Sequence, residues 1–140
     1  MNKLLYWFAP LYTAVIAAGS LMDNAVPSVS IDNIDKVYHA IAYLIMTISW
    51  YVFFYARFLS KQSFSSFNLK TILSNWSRTI AIGASVFSLI VGILIEIGQE
   101  YVSMNRTMDA MDVLANFAGI ILAVIILMIL DKLLQQHKMK

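Results

Sequence analysis

The stretch Val113 to Leu130, VLANFAGIILAVIILMIL, decides what kind of protein this is. It carries no charge, and Asn116 is its only strongly polar side chain. A helix rises about 1.5 Å per residue, so about 20 apolar residues cross the roughly 30 Å hydrocarbon core of a bilayer. Three other stretches repeat the pattern. Leu4 to Met22 is uncharged, with Pro10 close enough to its start to be tolerated. Ala40 to Ala56 is uncharged, on a helix that begins earlier, near Asp35, and Thr79 to Ile95 is uncharged and continues through Glu96. None of these runs alternates as a lipid-facing strand must, and a barrel needs many more strands. The expected fold is all-α, a four-helix up-down bundle forming one membrane domain over residues 1–140. Its spans are expected at about 4–22, 36–58, 79–99 and 111–130.

Composition agrees. With 60% apolar and 13% charged residues and a mean hydropathy of +0.73, the chain lacks the charged surface a soluble domain needs. There is no cysteine, which excludes disulfides, thiolate metal sites and cysteine nucleophiles. Lys3 followed by an apolar run ending near Ala17, Ala18 and Gly19 has the form of a signal peptide, but 19 apolar residues are long for that role and favour a retained span. Either way, the loop that follows lies outside.

Orientation follows from the basic residues. With the N-terminus cytoplasmic, the inner side holds Lys3, Arg57, Lys61, Lys70, Arg78, Lys132, Lys138 and Lys140, and the outer side only Lys36 and Arg106. Seven of the eight acids fall outside and Asp131 alone inside, so the two sides carry +7 and −5. Both termini are then cytoplasmic. Between the second and third spans, Leu69, Ile72, Leu73 and Trp76 recur at helical spacing, which predicts an amphipathic segment over 67–77 on the inner leaflet.

Three polar clusters fall at one depth, near the outer interface. Asp35, Lys36, His39 and Tyr43 open the second span, and Asp35, His39 and Tyr43 share a helix face over about 12 Å. Glu96 and Gln99 close the third span. Arg106, Asp109, Asp112 and Asn116 lead into the fourth. Some of this has an ordinary explanation. Asp32 with Asp35, and Asp109 with Asp112, suit helix N-termini, where the dipole favours acids, and Lys36 and Arg106 can snorkel to headgroups. Glu96 is different. It continues the line Ala84, Ser88, Gly92, whose small side chains let another helix approach, so it faces protein rather than lipid. Asn116 similarly shares a face with Asp112, Gly119 and Ala123. Ionisable groups at such positions are expensive unless paired and mark a functional site by default; the bland reading is a hydrogen-bond network that only fixes helix packing.

In these residues the sequence resembles the VanZ-like family. The elements D-K-x-x-H-x-x-x-Y, G-x-x-x-E-x-x-Q and R-x-x-D-x-x-D-x-x-x-N-x-x-G stand in order between Asp35 and Ala123. Two positions depart from the family pattern. Val102 to Asn105 lacks the proline that often precedes the arginine, and Phe117 replaces what is often a small polar residue. The resemblance implies a small multispan envelope protein of the kind named for resistance to the glycopeptide antibiotic teicoplanin. It carries the polar signature onto Asp35, Lys36, His39, Tyr43, Glu96, Gln99, Arg106, Asp109, Asp112 and Asn116, and it supplies no reaction.

The preferred function is a binding module. An outward-facing site of mixed charge beside an apolar bundle suits an amphipathic ligand such as a lipid-linked cell-wall precursor or a lipoglycopeptide. The alternative is an intramembrane enzyme acting on an envelope lipid, with His39 as general acid or base and Glu96 or Asp112 orienting it. No nucleophile motif supports that, since Gly83-Ala84-Ser85-Val86 falls short of G-x-S-x-G. A third reading is purely structural. One histidine among oxygen donors suits magnesium, calcium or manganese better than zinc, but no resident metal or cofactor is expected, nor any nucleic-acid partner. Transport is disfavoured, because the inner half of the fourth span is wholly apolar. Topology is directly testable. Reporter fusions after Ser66 and at the C-terminus should read cytoplasm and fusions near Val29 and Asn105 the exterior; an external C-terminus would reverse the orientation.

Overall fold

The computed structural model describes residues 3–22, 34–62, 68–102 and 109–136. Five helices account for nearly all of them: α1 (Lys3–Leu21), α2 (Ile34–Lys61), α3 (Leu69–Leu73), α4 (Arg78–Val102) and α5 (Ala110–Gln136). No described residue is in a strand. By length and composition α2, α4 and α5 are each able to cross a membrane, while the apolar part of α1, Tyr6–Leu21, is shorter. These features fit a helical membrane bundle.

Contacts between side chains fix the directions. Tyr6 lies against Ala56, and Trp50 Nε1 donates to Thr13 Oγ1 at 2.9 Å, so α1 and α2 are antiparallel. Gln99 on α4 reaches the carbonyl of Ser20, so α1 and α4 end together. Lys36, His39 and Ala40 meet Asp109, Asn116 and Gly119 in step, so α2 and α5 start together and run parallel. One end of the bundle therefore gathers the ends of α1 and α4 and the starts of α2 and α5.

The α2–α5 packing is the most extensive in the bundle, and its closest point explains why. A Cβ on Gly119 would run into the Ala40 carbonyl oxygen and lie 2.9 Å from the carbonyl carbon and 3.0 Å from Cα. Backbone therefore touches the α5 helix directly, as small residues permit. On α4 the line Ala84, Ser88, Gly92, Glu96 is buried throughout, and a Cβ on Gly92 would stand 2.9 Å from the Tyr43 ring. Further along, Trp50 packs at 5.1 Å from Phe53 and 4.2 Å from Phe87, knitting α2 to α4. The outward side chains of α5, among them Leu114, Phe117, Ile121, Leu122 and Ile125, are as apolar as its buried ones, Ile120, Ala123 and Leu127.

The run expected to be amphipathic over 67–77 contains a single turn of helix. Asn68 caps α3, accepting from the Thr71 amide at 2.9 Å, and Ile72 is fully buried in the core. At this end Asp131 accepts from the Trp76 amide at 3.2 Å, the Ser77 amide donates to the Tyr51 hydroxyl at 3.1 Å, and Tyr51 stacks on Trp76. Together these contacts satisfy the chain where it turns into α4. Gly119→Ala should cost about 2–3 kcal/mol, because a backbone carbonyl cannot swing aside. Gly83→Ala, with open space at its Cβ, should leave stability unchanged or slightly raised. Unfolding of the purified protein in detergent measures both.

Candidate functional site

The polar residues read from sequence gather where α2 and α5 start and α4 ends. Lys36, in the first turn of α2, reaches across to α5. Its ammonium stands 2.7 Å from Asp35, 2.9 Å from Asp109 and 2.7 Å from Asp112 Oδ1. Three carboxylates thus surround one lysine, which acts here as a point charge with three donors. Asp109 also works as a helix cap: its Oδ1 accepts from the Met111 amide at 2.8 Å, and its carbonyl accepts from the Asp112 amide at 3.1 Å. The Lys36 hydrogen bond, helped by the Met111 amide, holds the Asp109 carboxyl below the usual carboxylate range. Capping and ion pairing act together at this acid.

One turn deeper, His39 sits between α4 and α5. Its Nδ1 is 3.0 Å from Asn116 Oδ1 and 3.8 Å from Glu96 Oε1, and its Nε2 is 3.6 Å from Asp112 Oδ2. An amide oxygen only accepts, so the Asn116 contact draws the ring proton to Nδ1 and turns Nε2 toward Asp112. Asp112 is therefore shared, with one oxygen on the lysine and the other facing the imidazole. One ligand-capable atom from each of His39, Glu96 and Asp112 lies within 4.8 Å of the others.

Glu96 is the anomaly. Its side chain is 0% exposed, and among the described residues neither carboxylate oxygen has a partner in hydrogen-bond geometry, although the Asp109 backbone N–H is turned toward it. The Asn116 amide nitrogen is likewise buried without a partner among them. A buried acid normally collects donors, and one left without them is costly.

Not every expected residue joins the cluster. Gln99 is buried but turns to α1, where its Nε2 donates to the Ser20 carbonyl at 2.9 Å and closes the α1 helix end. Tyr43 is buried one turn further in, over Gly92. Arg106 lies outside the described residues. Sequence reasoning missed the Ala40 carbonyl, whose contact with Gly119 sets the α2–α5 spacing, and no side-chain signal marks a backbone atom. A separate open groove of about 640 Å³, lined by Trp7, Leu11, Val15, Val52, Leu73 and Leu130 among others, has no charged lining residue and lies away from the cluster.

Replacing Lys36 by Met keeps the apolar stem and removes the charge, leaving three acids facing one another. Lys36→Met should lower the melting temperature by several degrees, and Lys36→Met with Asp112→Asn by less than the two separate losses added. Strict additivity would mean that the two groups do not interact.

Comparison with protein-family models, curated proteins and solved structures gives no match for this chain.

Proposed function

We propose that this chain is a four-span protein of the cytoplasmic membrane, VanZ-like in its polar signature, which binds an amphipathic component of the cell envelope at the outer end of the bundle. In this reading α1 is a fourth span and both termini are cytoplasmic, which the bias of lysine and arginine toward one side supports. The ligand classes are a lipid-linked cell-wall precursor and a lipoglycopeptide, each with a polar head for the charged cluster and an apolar part for the surrounding lipid. One observation carries the proposal. Glu96 is fully buried, with no partner in hydrogen-bond geometry among the described residues and with His39 and Asp112 beside it. A group kept solely for packing would cost less as a neutral or apolar side chain.

An enzyme reading draws on the same histidine, since a ring held through Nδ1 by Asn116 has the orientation a general acid or base needs. Turnover of an envelope lipid by purified protein would favour it over binding.

The test separates site from scaffold. Glu96→Gln keeps size and removes charge, and His39→Asn removes the titratable ring. Both should leave expression and thermal stability nearly unchanged while abolishing any protection that the intact protein gives cells against a lipoglycopeptide antibiotic. Ser88→Ala, on the buried packing line at similar depth, should retain protection. Full protection in Glu96→Gln, or a loss only in proportion to lost protein, would make the cluster structural.

A further inference from the structure

Around His39, nitrogen and oxygen electron-pair donors converge that no hydrogen bond joins. In the tautomer that donates Nδ1–H to Asn116 Oδ1, the Nε2 lone pair faces a carboxylate oxygen of Asp112 at 3.6 Å. That distance is too long for a hydrogen bond, and both atoms are electron donors. A cation bonded to both at about 2.1 Å and an octahedral 90° needs them about 3.0 Å apart, a closure of about 0.6 Å. Glu96, buried and without a partner in hydrogen-bond geometry among the described residues, supplies a third donor: its Oε1 is 3.8 Å from Nδ1, and one ligand-capable atom from each of the three residues lies within 4.8 Å of the others. Charge points the same way. Asp35, Asp109, Asp112 and Glu96 are four carboxylates; among the described residues Lys36 is the permanent cation set against them, and His39 adds a charge only when protonated.

We propose that His39, Glu96 and Asp112 bind one hard divalent cation of the manganese class, with Asn116 fixing the imidazole behind it. Two carboxylates favour a hard ion, and a single imidazole ligand is better tolerated by manganese than by magnesium or calcium. Asn116 plays the supporting role common behind metal-bound histidines, where the second ring nitrogen donates to an oxygen and so sets the tautomer. Lys36 stays outside the coordination sphere, because it occupies the other oxygen of Asp112. The proposal departs from the sequence-based expectation of no resident metal. It does not depend on the identity of any envelope ligand.

Protein purified in detergent and stripped with a chelator would be titrated with Mn²⁺, following the free-ion EPR signal and the melting temperature. The expected result is saturable uptake of one ion per chain with a rise in melting temperature, and tighter binding of Mn²⁺ than of Mg²⁺ or Ca²⁺. Glu96→Gln and Asp112→Asn should each weaken uptake by at least tenfold, and Asn116→Ala by about tenfold. Glu100→Gln removes an exposed acid from the same end of α4 and should leave uptake unchanged. No uptake by the intact protein, or uptake that survives both Glu96→Gln and Asp112→Asn, would overturn the site. Binding of Mg²⁺ or Ca²⁺ as tight as that of Mn²⁺, with the same dependence on these residues, would overturn the assignment to the manganese class.

Discussion

The contact between Gly119 and the Ala40 carbonyl sets the geometry of everything polar in this protein. Helices usually pack with their axes 8–10 Å apart, separated by side chains. Here a glycine lets α5 rest on the backbone of α2. Because the two helices are parallel and start together, that closeness aligns Lys36 with Asp109 and Asp112, and His39 with Asn116. A bulkier residue at position 119 would separate all of these pairs at once. The charged end is therefore a consequence of a steric fact one turn deeper.

The cluster has two layers with different solvent access. In the upper layer Lys36 joins acids of which Asp35 and Asp109 are substantially exposed, so water and salt screen it. In the lower layer His39, Glu96 and Asn116 are largely or wholly withdrawn from solvent. Asp112 belongs to both, with one oxygen in each. It thus touches both Lys36 and His39.

Much of this was legible in the sequence, for identifiable reasons. The line Ala84, Ser88, Gly92, Glu96 repeats every four residues, and helical geometry leaves little choice but to put it on one face. That the face is buried followed from the small size of its members. The meeting of His39 with Glu96 and Asp112 followed from placing three motifs at one depth, which the alternating helix directions require. Other features rest on atoms that leave no mark in sequence. Gln99 was grouped with the cluster by position, but its partner is the Ser20 carbonyl at the end of another helix, and every residue has a carbonyl. The segment around Leu69 to Trp76 has the spacing of a longer amphipathic helix. Its single turn reflects caps at Asn68 and Ser74 and the burial of Ile72, all tertiary effects. Asp131 read as a stray acid among basic residues, and its use as an acceptor for the Trp76 amide depends on how α5 ends against the start of α4.

α5 is apolar on every side, and this bears on how the fold is encoded. In hydrocarbon an outward leucine gains nothing over an outward isoleucine or phenylalanine, because lipid tails are as apolar as the side chains themselves. Positions such as Leu114, Ile121, Leu122 and Ile125 then carry a requirement for hydropathy and almost none for shape. Asn116, Gly119 and Ala123 carry the opposite requirement. The information that specifies this helix is concentrated in about one residue per turn, and mutational drift can rewrite most of the rest without the bundle registering the change.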